Sequence, residues 1–196
     1  MAAIFSSGRY DLLSLDSFAA FHVSGGTTEL LTVKGSDQGF SAELVGGTAD
    51  LNAGQIIDRV GVYMGLPFPS GKHLEELALL NEKPLPKKKP TVKGLSANLS
   101  GLENMAVKLY DGTGDRSLVA AFVFEYIGTA IEMICNAYVQ KYGSKPFVFA
   151  GGVMCNSIIK SRLSNSFDAS FAEPAMSADN AVGIAALTLR SYTASK

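Results

Sequence analysis

The first half of the chain alternates apolar and polar residues in the way that predicts a β-meander. Three runs rich in β-forming residues occupy residues 17–23 (SFAAFHV), 28–33 (TELLTV) and 40–45 (FSAELV). Turn-like segments, SGGT and KGSDQG, join these runs, so the pattern predicts two successive antiparallel hairpins. The spacing then becomes helical over residues 50–65. The apolar positions of this predicted helix are Ile56, Ile57, Val60 and Met64.

The second half of the chain predicts helices that alternate with strands. The expected helices run from about Lys72 to Leu80 and over residues 115–142, 156–165 and 178–192, and the expected strands lie at 146–150 and 169–173. The helix over 115–142 is apolar around most of its girth, which is typical of a buried helix. Residues 81–94 (NEKPLPKKKPTVKG) indicate an extended connection, and LSANLSG after it favours another short strand.

A hairpin meander followed by crossover units predicts an α/β protein with a mixed sheet and helices on both faces. This order resembles the ribonuclease H-like lobe of the actin, Hsp70 and sugar-kinase superfamily, in which two such lobes clamp a nucleotide. The resemblance implies one lobe over residues 1–196, with 81–101 as a connecting insertion. Topology of this kind says little about chemistry by itself.

Composition places the chain among globular proteins. Of its 196 residues 47% are hydrophobic and 18% charged, and the formal net charge is -1. This balance argues against disorder and gives no overall attraction to nucleic acid or membranes. Cys135 and Cys155 fit neither a disulfide framework nor a metal-binding spacing, which suggests a reducing compartment. The apolar runs are too short to span a bilayer and no signal peptide is evident, so a cytoplasmic protein without membrane contact is expected.

The stretch FVFAGGVMCNS, residues 147–157, carries the first candidate chemistry. An apolar strand ends there in Gly151 and Gly152, and a helix begins at Asn156, which is a good N-cap residue. The stretch suits the strand-to-helix turn found in any α/β protein. It equally suits a nucleotide that lies against bare backbone, since glycine has no Cβ to keep a ligand away.

Five segments stand in the order found in one family. They are HVSGGTTELLTV (22–33), GGTADLNAGQIIDRVGVYMGLPFPSG (46–71), LSANLSGLENMAVKL (95–109), FAGGVMCNS (149–157) and PAMSADNAVGIA (174–185). Together they resemble the tRNA threonylcarbamoyladenosine transferase family, long known as O-sialoglycoprotein endopeptidase or glycoprotease. The resemblance covers almost the whole chain but only the second half of the family's length.

The resemblance implies a binding site for ATP or threonylcarbamoyl-adenylate. Residues 24–27 match a turn that contacts phosphates, where glycines let backbone N–H groups converge on an anion. Asp58 matches an acid at the ribose, Gly71 a glycine near the sugar, and Asn156 an asparagine on the adenosine side. The residues implied in nucleotide or substrate binding are His22, Val23, Ser24, Gly25, Gly26, Thr27, Asp58, Gly71, Gly151, Gly152 and Asn156. Asp179 matches the family's metal-binding carboxylate.

Each of these positions also has an ordinary structural interpretation. The turn at 24–27 suits a plain hairpin, and Asp58 suits a solvated helix charge. Asn156 suits a helix cap, a role that it can combine with ligand binding. Asp179 suits an acid favoured by the dipole near a helix N-terminus. These alternatives stay open at the level of sequence.

Several positions depart from the family pattern. Residues that differ from the family's usual ones are Thr27, Glu29, Leu51, Gln55, Ser177 and Ala178. The family also binds its iron, zinc or magnesium through two histidines four residues apart in a first lobe, whereas this chain has only His22 and His73. A divergent paralogue that begins just after the metal motif is therefore expected, and whether it is a cut piece or naturally short stays open.

Three functions remain as alternatives. The first is a nucleotide-binding second lobe that is inactive alone and needs the first lobe for its divalent metal. The second is a non-catalytic partner or scaffold subunit of a tRNA-modification complex, acting as a homodimer or heteromer. The third is a metallopeptidase, which the absence of an H-E-x-x-H motif disfavours. Contact with tRNA would come through the complex, with the lysines of KPLPKKKP as candidates for phosphate contact.

Overall fold

The computed structural model describes residues 1–36, 39–177 and 181–194. Over these residues, seven strands form one sheet in the spatial order β4-β5-β3-β2-β1-β6-β7. The strands are β1 (Phe18–Val23), β2 (Thr28–Ser36), β3 (Gly39–Thr48), β4 (Thr91–Lys93), β5 (Ser96–Asn98), β6 (Phe147–Ala150) and β7 (Ala169–Phe171). The helices are α1 (Ala2–Ser7), α2 (Ala53–Tyr63), α3 (Gly71–Ala78), α4 (Ser100–Thr113), α5 (Arg116–Tyr142), α6 (Ser157–Ser166), α7 (Pro174–Ser177) and α8 (Ala181–Ala194).

The sheet is mixed, as the order of elements predicts. Strands β1, β2 and β3 form the antiparallel meander. Strand β6 pairs parallel to β1, and β7 pairs parallel to β6, each after a helical crossover. Strand β5 joins the far side of β3 in parallel, over two residue pairs only.

Helices cover both faces of the sheet, and most of the core lies on one of them. Helix α5 is buried along most of its length against that face. Phe21 of β1 and Phe149 of β6 stack at a centroid distance of 6.3 Å beneath it. A smaller cluster on the opposite face contains Ile4 of α1, Phe18 and Val148. The alternation of side chains along β1 therefore sends neighbouring residues into different cores.

Helix α5 corrects the expectation that no segment is long and apolar enough to span a membrane. Among the described residues, Arg116–Tyr142 meets that criterion by length and composition, and 78% of its most apolar window is buried inside the fold. A core helix has this composition because it is surrounded by apolar side chains on most sides. Asp115 caps the helix, accepting a hydrogen bond from the Leu118 N–H at 3.0 Å.

The segment between α3 and α5 differs from its prediction. The extended connection continues only to Pro90, after which β4 and β5 form a small antiparallel hairpin at the edge of the sheet. The expected short strand is confirmed as β5. Helix α4 follows it and was not predicted, because its sequence contains Gly101 and Gly112 and buries only Leu102 and Ala106.

Candidate functional site

The turn between β1 and β2 presents two glycines to open space. Its ends are joined by a hydrogen bond from the Ser24 N–H to the Thr27 carbonyl oxygen at 2.7 Å. The Gly26 N–H donates to the Ser24 hydroxyl oxygen at 3.3 Å. A methyl group added to Gly25 or Gly26 would meet no described atom within 4 Å. The packing of the described chain therefore does not require glycine at either position.

The first turn of α2 packs against this glycine turn. The Gly54 N–H donates to the Ser24 carbonyl oxygen at 3.2 Å, and a Cβ at Gly54 would lie 2.6 Å from that same oxygen. The Ala53 N–H donates to the Thr28 hydroxyl at 3.0 Å. Gln55 reaches back to accept from the Asn52 N–H at 3.2 Å, which caps the helix. Glycine at position 54 is thus needed for the helix to approach the turn.

Asp58 of α2 holds the loop before α3 in place. Its carboxylate accepts a hydrogen bond from the Ser70 N–H at 2.7 Å. Ser70 is fully buried, and its hydroxyl donates to the Pro67 carbonyl oxygen at 3.0 Å. Gly61 allows Ser70 to pack against α2, because a Cβ at position 61 would lie 2.2 Å from the Cβ of Ser70. The carboxylate is therefore a positioning group for this loop, whatever else it binds.

The two glycines after β6 have different surroundings. Gly151 has φ +99°, and a Cβ there would lie 2.2 Å from the Val23 carbonyl oxygen of β1. Internal packing therefore explains the glycine at position 151, without a nucleotide beside it. A methyl group at Gly152 would meet no described atom within 4 Å. Only Gly152 faces open space.

Asn156 caps α6 with one side-chain atom and leaves the other unpaired. Its Oδ1 accepts a hydrogen bond from the Ile159 N–H at 3.0 Å. The residue is only 4% exposed, and its Nδ2 has no hydrogen-bond partner within the described chain. A buried donor without a partner costs free energy, about 1–3 kcal/mol. The side-chain amide of Asn156 is thus an unsatisfied donor at the wall of the site.

These elements surround a cleft of about 420 Å³. Of the residues implied by the family resemblance, the cleft brings together Gly25, Asp58, Gly71, Gly152 and Asn156. Others lie in the adjoining strand ends and turns but do not line it, namely His22, Val23, Ser24, Gly26, Thr27 and Gly151. Further lining residues, not singled out from the sequence, are Gly54, Ile57, Pro69, Lys72, Glu75, Phe124, Val153 and Cys155.

Two charged residues of α3 lie at this cleft. Lys72 is exposed in the first turn of the helix. Glu75 accepts hydrogen bonds from both the N–H and the hydroxyl of Ser157, at 2.7 and 2.6 Å. The sequence does contain a signal for both residues. Lys72 and Glu75 come one and four positions after Gly71, at the start of a predicted helix, and residues three apart lie on the same face of a helix.

Comparison with known proteins identifies the family. A model of the TsaD family, tRNA N6-adenosine threonylcarbamoyltransferase, matches residues 2–186. The chain belongs to the TsaD family.

Two solved structures share the fold of this TsaD-family chain. Component A of the (R)-2-hydroxyglutaryl-CoA dehydratase of Acidaminococcus fermentans superposes with a TM-score of 0.58 at 14% identity, covering 100% of this chain and 68% of that one. The activator of the 2-hydroxyisocaproyl-CoA dehydratase of Clostridium difficile, with bound ADPNP, gives 0.52 at 12%, covering 96% and 67%. These neighbours confirm the predicted mixed α/β fold.

The described residues of this TsaD-family chain do not form a metal site. No group of three His, Cys, Asp or Glu residues among them is placed to hold a metal ion. His22 lies on β1 between Phe21 and Val23, which face the main core, so its side chain is on the opposite face. His73 is exposed, with Nδ1 3.8 Å from a carboxylate oxygen of Glu76. Asp179, the implied metal ligand, lies outside the described residues.

Proposed function

We propose that this chain is the nucleotide-binding part of a TsaD-type protein and that the cleft holds an adenine nucleotide, either ATP or threonylcarbamoyl-adenylate. The unpaired Nδ2 of Asn156 carries the proposal, because native proteins rarely leave a buried amide donor without an acceptor, and a ligand in the adjoining cleft would supply one. Membership of a tRNA N6-adenosine threonylcarbamoyltransferase family agrees with a nucleotide-binding domain of tRNA modification.

The parts of the nucleotide have separate neighbours in this proposal. The phosphates lie at the Gly25 end of the cleft, where exposed backbone N–H groups suit an anion. The base lies against Gly152, with Asn156 donating to one of its ring acceptors. Asp58 and Glu75 bind the ribose, since their carboxylates can accept hydrogen bonds from sugar hydroxyls. The ADPNP in one of the structural neighbours supports the choice of an adenine nucleotide.

The isolated chain is proposed to bind this nucleotide weakly and to catalyse nothing. The family's metal and first lobe would be needed for transfer of the threonylcarbamoyl group, and the described residues supply no metal site. Net hydrogen bonds of about 0.5–1.5 kcal/mol each are largely offset by an association cost of roughly 4–15 kcal/mol. A dissociation constant of the order of 1 mM or higher follows. The chain would act in the cytoplasm, joined to a first lobe or a paralogous subunit, and reach tRNA through that complex.

A second candidate is a non-catalytic subunit that has kept the family fold for assembly. Gln55 favours this alternative, because it places a neutral amide where the family has an acid. Its side-chain oxygen accepts the hydrogen bond that caps α2. The two candidates differ in a measurable way, since a scaffold subunit has no reason to retain nucleotide affinity in the complete assembly.

Asn156→Asp separates ligand binding from helix capping. Aspartate and asparagine are equally good N-caps, so the variant keeps the acceptor for the Ile159 N–H while replacing the Nδ2 donor with an anionic oxygen. We expect a melting temperature close to that of the unmodified protein and at least about tenfold weaker ATP binding by NMR titration of backbone amides. Asn156→Ala, which loses the cap as well, should lower both. Unchanged ATP binding in Asn156→Asp would contradict the proposal, as would the absence of amide shifts around the cleft.

A further inference from the structure

Strand β3 has an open outer edge along half of its length. Its inner edge pairs with β2 over eight residue pairs, but β5 pairs with only Gly47 and Thr48 on the outer side. On this outer side, residues 41–45 therefore have no neighbouring strand in the described chain. In an antiparallel ladder alternate residues direct their N–H and C=O groups away from the paired strand, so alternate residues of this stretch present both groups outward.

This edge lacks the protection that the two end strands of the sheet have. Strand β4 is three residues long and follows Pro90 and three exposed lysines, Lys87, Lys88 and Lys89. Strand β7 is also three residues long. Short length, proline and lysine are the usual devices that prevent a strand from pairing with another chain. Residues 40–45 (FSAELV) contain no proline or lysine, and their single charge is that of Glu43.

The two faces of this edge differ in character. On one face Glu43 lies opposite Thr32, and Ser41 lies opposite Lys34 of β2. Lys34 and Glu43 are both exposed, and neither makes an ion pair with another described residue. On the other face are Phe40, Ala42 and Leu44, which alternate with them along the strand. The Leu44 side chain is 58% exposed there.

We propose that a second copy of this chain pairs with β3 through the same edge, antiparallel and about a two-fold axis at Ala42. In this register Leu44 of each copy lies opposite Phe40 of the other, which buries apolar surface on one face. On the other face Glu43 of each copy lies opposite Ser41 of the other copy. Lys34 of that other copy lies one strand beyond Ser41. Two strand spacings amount to about 10 Å, which the extended lysine and glutamate side chains span together.

The self-matching of this register identifies a second copy as the occupant. A two-fold axis places residue i opposite residue 84 minus i, so apolar positions meet apolar ones, and Glu43 of each copy lies two strands from Lys34 of the other copy. An unrelated extended peptide would need both features by chance. The edge lies apart from the nucleotide cleft, whose lining residues include none of β3, so the dimer leaves that cleft open.

Charge exchange at Lys34 and Glu43 tests the register. We expect the full chain to sediment as a dimer at tens of micromolar. Glu43→Lys alone and Lys34→Glu alone should each weaken the dimer about tenfold, because each places two like-charged pairs across the interface. The double variant Lys34→Glu/Glu43→Lys should restore the dimer, and 1 M salt should reduce the difference between single variants and the unmodified chain.

Matched controls are Glu82→Lys and Lys108→Glu, which make the same charge changes at exposed positions outside the sheet. They should leave the association constant within about twofold of the unmodified value. A monomer at 100 micromolar, or roughly this order, would overturn the proposal. A dimer that is insensitive to the single exchanges would also overturn it, as would a double variant that remains as weak as the single ones.

Discussion

The carboxylate of Glu75 on α3 accepts two hydrogen bonds from Ser157, the first residue of α6. The N-terminus of α6 thus has two caps, one from Asn156 within its own segment and one from a helix 82 residues earlier in the chain. Both residues line the cleft. The helix end that borders the candidate adenosine site is therefore held in place by groups that are themselves at the site.

Removing the Glu75 carboxylate should loosen this helix end. We expect Glu75→Ala to lower the free energy of unfolding by about 1–2 kcal/mol, because the Ser157 N–H and hydroxyl lose their acceptor. Glu75→Gln, which keeps one acceptor oxygen, should lose less. Urea denaturation measures both. Glu76→Ala is the control, since among the described residues that exposed neighbour pairs only with His73, at 3.8 Å. A change beyond about 0.5 kcal/mol in this control would cast doubt on the explanation.

Alanine at the two glycines after β6 should have opposite consequences. Gly151→Ala should lower the free energy of unfolding by about 2–4 kcal/mol, because it combines a positive φ with a Cβ in contact with the Val23 carbonyl oxygen. Gly152→Ala should change stability by less than about 0.5 kcal/mol, since its methyl group enters open space. The same methyl group should weaken ATP binding in an NMR titration. Equal destabilisation by the two variants would be the contrary result.

The two cysteines should report on the cleft. Cys155 lines the cleft and is partly exposed, whereas Cys135 is fully buried in α5. Burial raises the pKa of the Cys135 thiol well above its usual value, and the negative charge of Glu132 raises it further. A thiol-specific reagent should therefore modify one cysteine in the folded protein and two in urea. Saturating ATP should slow the reaction of Cys155, and an unchanged rate would count against a nucleotide in this cleft.

Acid should weaken the start of α4 through Asp50. Burial alone would raise the pKa of this carboxyl, but hydrogen bonds from Ser100 and from the Leu99 and Leu51 N–H groups lower it overall. A lowered pKa in the folded state means that the contribution to stability is present above the ordinary aspartate pKa of about 4 and is lost as the pH falls through the lowered value. The carboxylate is exposed, so the contribution is under about 1 kcal/mol.

Asp50→Asn should accordingly be less stable than the unmodified protein near neutral pH, and the difference should shrink as the pH falls from about 5 to about 2. Urea denaturation at a series of pH values measures the difference. Asp16→Asn is a suitable control, because Asp16 is exposed and accepts no side-chain hydrogen bond from a described residue. A constant difference across this pH range would exclude the carboxylate of Asp50 as its source.

The main elements were predictable because their patterns are local. Alternation along β1 to β3 and the apolar girth of α5 are properties of neighbouring residues, so they can be recognised without knowledge of the fold. Helix α4 shows the limit. Its glycines lower its helical propensity, and it is stabilised by packing Leu102 and Ala106 onto other helices and by the cap from Asp50.

Among the site residues, too, roles that depend on remote contacts could not be predicted from local sequence. Gly151 and Gly152 are indistinguishable in sequence, and only the approach of Val23, which lies 128 positions before Gly151, gives the first one a packing role. Glu75 was not recognised because its partner, Ser157, lies 82 positions later in the chain. Contacts of this kind depend on the completed fold, so a local pattern does not contain them.

The parallel pairing of β1 with β6 determines when the sheet can be completed during synthesis. Ala19 pairs with Phe147, so 128 residues must be translated after the centre of the sheet has been made before its second neighbour exists. At about 5–20 residues per second this interval lasts on the order of 10 s. Until α5 has been made, the β1–β3 meander has one bare central edge and an uncovered apolar face. The nascent chain at this stage is a natural substrate for chaperones that shield apolar surface.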